Sequence, residues 1–139
     1  MTQIQTMTNP ELNRALAELM GCKVVKVSEG EFAYELQDSS GHCINTDGRG
    51  WESEQYAWAG ASDYCTDPAA SLEVQSAAIA KDADAYVQNL AIVKWGQPDE
   101  DVEDTAVWNK TMRYSIAELL TARPRERAEA AYITMQGVK

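Results

Sequence analysis

The sequence predicts an α+β domain, an antiparallel β-sheet flanked by helices in an α/β/α sandwich, with the order αββ(β)αββα. Three observations lead there. Several stretches carry strand formers, one in clear alternation; three others carry apolar residues at helical spacing; and the strands fall in runs with the helices gathered beside them. A chain of 139 residues suits a single domain spanning 1–139 and can bury a real core. Apolar residues make up 45% and aromatic residues 8%, a globular composition rather than a disordered one.

Residues 1–8 are polar and read as a loose tail. Asn9, Pro10 and Glu11 then open a helix, with Asn as N-cap, Pro at the first helical position and an acid in the first turn. Leu12, Ala15, Leu16 and Leu19 repeat at helical spacing, and Gly21 ends the element. Residues 22–27 and 32–36 are strands; Phe32, Tyr34 and Leu36 alternate, and Ser28 to Gly30 supply the turn. A shorter third strand is expected at 42–44. Residues 45–66 show no period, and Gly48, Gly50 and Gly60 sit there among Trp51, Tyr56, Trp58 and Tyr64. A loop of that length is functional or is ordered by its own aromatic rings. Asp67 and Pro68 open a second helix on Leu72, Ile79, Ala83, Tyr86 and Leu90, drawn to about Asn89, with Ala80 as a place where it can break. Residues 91–95 turn extended, 96–104 form a solvated acidic loop, and 105–119 read as strand with Met112, Tyr114 and Ile116 on one side. The closing helix, 121–135, has Pro124 in its first turn and an apolar face of Ala128, Ala131, Tyr132 and Met135.

The formal net charge of -10 argues against general DNA or RNA binding, where a basic surface supplies the affinity. It leaves room for a small anionic ligand in a local basic pocket. Charge is uneven: half of the 12 Lys and Arg lie from Lys110 onward, where only Glu118, Glu126 and Glu129 are acidic. The sequence contains no apolar run long enough to span a bilayer, and residues 1–7 lack the basic and apolar regions of a signal peptide. A cytoplasmic location is the expectation. Cys22, Cys43 and Cys65 have no paired spacing and read as free buried thiols.

Arg123, Arg125 and Arg127 crowd the first turn of the closing helix, with Arg113 on the strand before it. An arginine fork fits phosphate oxygens, and a helix N-terminus adds free N–H groups. The structural alternative is that Arg125 pairs with Glu129 at i, i+4 and the rest form a wet face. Trp51, Tyr56, Trp58 and Tyr64 can stack a base; alternatively they bury one another or line an oligomer interface. His42 and Cys43, with Cys22 and Cys65, fall short of zinc spacing, since adjacent strand residues point to opposite faces. The acidic run 99–104 lacks the rhythm of a calcium loop. His42 is the only histidine, Asp47 to Gly50 is too short for a phosphate loop, and a Ser-His-Asp arrangement is not evident. The expectation is therefore a ligand-binding set of Arg113, Arg123, Arg125, Arg127, Trp51, Tyr56, Trp58 and Tyr64, with no catalytic residue, metal or cofactor. Paired carboxylates remain open, because they need no local motif.

Two stretches are familiar together: Asp63-Tyr-Cys-Thr-Asp-Pro68 before a helix, and Thr121-Ala-Arg-Pro-Arg-Glu-Arg-Ala-Glu-Ala-Ala131 in the closing one. With the Ala17-Glu-Leu-Met-Gly21 end of the first helix, they resemble the phage ABA-sandwich family, small phage and prophage proteins with a sheet between helical layers. The likeness covers about two thirds of the chain; Ser62 stands where a proline is usual, and Cys22 where a tryptophan is. The resemblance implies an accessory protein in the host cytoplasm, with an anti-defence role. Its leading form is a non-enzymatic sponge that sequesters a cyclic nucleotide immune signal, a small anionic ligand held between subunits of a homo-oligomer. The alternatives are an acidic decoy that inhibits a host protein and a small nucleotide hydrolase. No nucleic acid polymer and no membrane are expected as partners.

Overall fold

The computed structural model describes residues 2–44, 50–96 and 116–137. In chain order these form α1 (Thr2–Thr6), α2 (Asn9–Leu19), β1 (Lys23–Lys26), β2 (Tyr34–Gln37), α3 (Glu54–Ala59), α4 (Pro68–Trp95) and α5 (Pro124–Gly137). The expected α/β/α sandwich is not what forms. The described chain is mostly helical, and its sheet has two strands, β1 antiparallel to β2, with Lys23 opposite Gln37 and Lys26 opposite Tyr34. The expected third strand at 42–44 reduces to a single bridge onto β2, Cys43 against Gln37; a second bridge, Trp51 against Tyr34, lies in the stretch read as a loop. Residues 91–95, expected extended, are the last turns of α4, and 116–120 are helical. Short apolar runs do not distinguish strand from buried helix, and the helix already running through Leu90 continued into this one. The rest of the strand expected over 105–119, and with it Met112 and Tyr114, lies outside the described residues.

The opening helix forms as its residues require, one position early at its cap. Thr8, not Asn9, is the N-cap, in a capping box with Glu11: the Glu11 N–H donates to Thr8 Oγ1, and the Glu11 carboxylate accepts from Thr8. Leu12, Leu16 and Ala17 are buried, while Leu19 faces outward. Gly21, at φ +94°, ends the helix; its N–H donates to Glu18 O and that of Cys22 to Ala17 O, a Schellman closure. The segment expected as a loose tail instead makes α1, with Ile4 in the core.

The core lies between α2, the two arms of α4, and α5. Asp82 breaks α4 with extended angles, φ -162° and ψ 92°, two residues beyond Ala80. Across the break Tyr86 Oη donates to Gln75 Oε1 at 2.8 Å. A straight helix would hold residues 11 apart about 16 Å from each other along its axis, so the element folds back on itself. The break also redistributes the expected stripe. Tyr86 and Leu90 are buried, but Leu72 and Ile79 are exposed, and the first arm buries Ala70, Ser71, Val74 and Ala78 instead. Small residues meet small residues there: α5 presents Ala128, Ala130 and Ala131, all fully buried, so the backbones approach closely. Three polar links set the order of the arms. Arg127 donates to Ser71 near the start of α4, Asn89 to Thr134, and Lys94 to Glu126. The second arm therefore runs antiparallel to α5. No helix among the described residues is long and apolar enough to cross a membrane.

Arg125 closes the bundle. Its Nε donates to Glu129 at 2.9 Å, Nη1 to Asn9 Oδ1 at 2.8 Å, and Nη2 to the carbonyls of Ile4 and Met7 at 3.0 and 2.9 Å. Replacing it removes a donor from both carbonyls, of which Ile4 O keeps only the Met7 N–H among the described residues, and leaves Glu129 half-buried without its cation. Arg125→Ala is therefore expected to cost about 2–4 kcal/mol in urea denaturation. Ala131→Leu, which drives a large side chain into the close contact, is expected to cost about 1–3 kcal/mol by the same measurement.

Candidate functional site

The residues expected to share one ligand are placed in separate parts of the fold. Arg125 is a structural tether, and Arg127 donates inward to Ser71 Oγ at 3.1 Å and to the carbonyl of Leu120 at 3.4 Å. Arg123 is the exposed one, with its Nε 3.7 Å from the Glu126 carboxylate, which also accepts its backbone N–H. Arg113 lies outside the described residues. Tyr64, 4% exposed, is core, and burial raises its phenol above the ordinary range. Trp51, Tyr56 and Trp58 belong to α3 or to the strand-like residues before it.

Three surface clefts among the described residues bear on these side chains. The first, about 490 Å3, lies between the N-terminal segment and α5; Arg123 and Arg125 line it, but so do Glu126 and Glu129, and it contains no ring. The second, about 390 Å3, lies between α2 and α3. Here the Arg14 guanidinium sits 5.0 Å from the Trp58 ring centroid, a cation–π pair, while its Nε donates to Glu18 at 3.1 Å. Asn13 ties this wall to the turn before α4, donating to Asp63 at 3.0 Å and accepting from the Cys65 N–H at 3.1 Å. The third, about 370 Å3, lies between the β2 side and α3 and is lined by Phe32, Gly50, Trp51, Glu52 and Tyr56. None of these three clefts combines the arginines of α5 with the aromatic rings, because the tether and the bundle already occupy the two inner guanidinium groups.

Local sequence explains the third cleft. Ser53 caps α3 by accepting the Tyr56 N–H, which fixes Tyr56 on the outer face of the first turn. Trp51 pairs with Tyr34 in both directions, N–H to O at 2.6 and 3.1 Å. Gly50 permits that approach, since a Cβ there would fall 2.3 Å from the Phe32 carbonyl oxygen. Gly60 makes room for the Trp51 ring, where a Cβ would fall 2.6 Å from Cζ2. The indole Nε1 is buried with no hydrogen-bond partner among the described residues, so packing against Gly60 orients the ring. The two glycines were the sequence signal for this arrangement, one preceding the tryptophan and one nine residues after it.

One cluster escaped the sequence reading. Ser40 Oγ donates to Asp38 at 2.8 Å and lies 3.0 Å from His42 Nδ1. The three share an exposed hairpin turn, in which Asp38 also accepts the backbone N–H groups of Ser40 and His42. These bonds hold the Asp38 carboxyl below its ordinary range. None of the three clefts reaches Ser40 or His42, so the cluster is turn chemistry. Cys22 is partly buried, Cys43 exposed and Cys65 buried, so the expectation of buried thiols holds fully for Cys65 alone. Burial raises the Cys65 thiol to about 11 despite the nearby Arg125, which keeps it protonated and inert. Among the described residues, no three His, Cys, Asp or Glu side chains gather as a cation site.

Asp63 carries the pH dependence of the α2–α3 wall. Hydrogen bonds from Thr66 and Asn13 lower its carboxyl below the ordinary aspartate value. A carboxylate whose pKa is lower folded than unfolded contributes stability that is complete above the unfolded value and lost as pH falls through the folded one. The urea midpoint is therefore expected to fall between about pH 5 and pH 2. Asp63→Asn should be less stable at neutral pH and lose less on acidification, read from the same titration.

Compared with protein-family models, with curated proteins and with solved structures, the chain shows no match.

Proposed function

We propose that the protein is a non-catalytic binding protein whose acidic surface engages a basic partner protein. The observation that carries this reading is the direction of the four guanidinium groups among the described residues. Arg125 and Arg127 donate into the fold, and Arg14 and Arg123 are paired with Glu18 and Glu126. On a chain of net charge -10, Glu31, Glu52 and Glu54 meanwhile stand exposed, and Glu29 is 96% exposed beside Lys26. A field of that sign speeds encounter with a positive partner and disfavours anionic ones. Such a surface can occupy the nucleic-acid-binding face of a basic host protein, the decoy role.

The test is capture from a bacterial lysate at low ionic strength, followed by titration of the recovered protein. A basic partner is expected, released by salt and lost when Glu29, Glu31, Glu52 and Glu54 are changed to Gln. Capture of only acidic partners, or capture indifferent to the four substitutions, rejects the reading.

A second reading is sequestration of a cyclic nucleotide by a phage anti-defence protein, as the family resemblance implies. The Arg14–Trp58 pair favours it, since the guanidinium keeps donors beyond the one Glu18 takes and the ring offers a π-face beside an open cleft, although Glu11 and Asp63 also line that cleft. Thermal shift against a cyclic nucleotide panel is the measurement. A shift abolished by Arg14→Ala, with the ligand recovered intact, supports it; no shift with any member rejects it, and a cut product turns it into the hydrolase alternative.

A further inference from the structure

We infer that the cleft lined by Phe32, Trp51, Glu52 and Tyr56 seats one lysine or arginine side chain of a basic protein segment. The inference rests on the acidic-surface reading and adds where the partner is anchored. Three of the five lining residues are aromatic, and the single charge among them is a carboxylate. Phe32 is 42% exposed and Tyr56 59%, an unusual gathering of large rings at one opening. Aromatic faces carry the negative side of the ring quadrupole and attract a cation placed over them. Glu52 supplies the net charge that rings lack.

The wall is preset. Trp51 is paired to Tyr34 through its backbone and pressed against Gly60 through its ring, so it loses little freedom on binding. Tyr56 stands on a capped helix turn. Charge complementarity selects the occupant. Among the described lining residues an anion meets Glu52 and no cation, and a neutral apolar group leaves the carboxylate uncompensated. A long cationic side chain satisfies both, laying its methylenes on the rings and its head against the carboxylate.

The probe is a blocked Lys/Arg-rich dodecapeptide, with its glutamine analogue as control, titrated calorimetrically into the intact protein. Tyr56→Ala and Glu52→Gln are each expected to weaken binding about tenfold. Glu73→Gln, the same charge change on the exposed face of α4, should weaken it less than about twofold. Tetramethylammonium chloride should compete more strongly than sodium chloride at equal ionic strength. Circular dichroism checks that each variant is folded; Phe32→Ala replaces any that is not. Wild-type affinity in Tyr56→Ala, or equal effects of Glu52→Gln and Glu73→Gln, overturns the seat and leaves the acidic-surface reading standing. No binding of the peptide to the wild-type protein overturns both.

Discussion

Arg125 joins the first residues of the chain to the last helix, and the remaining packing depends on that join. Its four hydrogen bonds reach the carbonyls of Ile4 and Met7, the side chain of Asn9 and the carboxylate of Glu129. The carbonyls it satisfies belong to α1 and the turn into α2, where a short helix leaves several acceptors without intrahelical donors. Through them Ile4 is held in the core and α2 is laid against α5, with the Cys65 thiol donating to the Asn9 carbonyl below. A lysine in this position would offer one point charge in place of a planar fork, and could not reach all four acceptors.

The two arms of α4 follow a different logic. The interior of the bundle is built from alanine, serine and threonine as much as from large apolar groups, so helix separation is small and hydroxyls must be satisfied inside. Ser71 and Thr134, both essentially buried, are satisfied by backbone carbonyls and by Arg127 and Asn89. Glu126 shows the same economy of partners. Burial raises its carboxyl, but the Arg123 N–H and the Lys94 ammonium outweigh burial and leave it lowered and ionised.

These features were legible in the sequence to different degrees. The cap-and-stop residues around α2 and the proline that opens α5 predicted those helices closely, since caps act through neighbours in the chain. Ala128, Ala131 and Met135 were identified as a buried face because the 3.6-residue period survives in them. The stripe assigned to α4 failed at Leu72 and Ile79, because periodicity assumes one continuous helix and Asp82 resets the phase. The sheet failed for a related reason: strand propensity at 91–95 was overridden by the second arm of α4, which starts again at Asp82, where the carboxylate accepts the Ala85 N–H, and runs on to Trp95. Only tertiary contact decides such cases.

The arginines near the end of the chain were read as a site because clustered guanidinium groups fit anions and structural acceptors alike. Which they serve depends on what the fold brings opposite them, here carbonyls from residues more than a hundred positions away. That distribution has a chemical consequence beyond stability. A chain with 22 acids and 12 bases that turns two of its arginines inward, with Glu126 and Glu129 beside them, keeps at its surface the negative balance its composition implies. The exposed rings beside Glu52 lie in that field, so whatever approaches them has first been sorted by charge. Desolvation then acts on the same approaching group, and it favours cations that shed water readily, the guanidinium over the ammonium. On the reading proposed above, charge would set which molecules arrive and the rings beside Glu52 which of them stay.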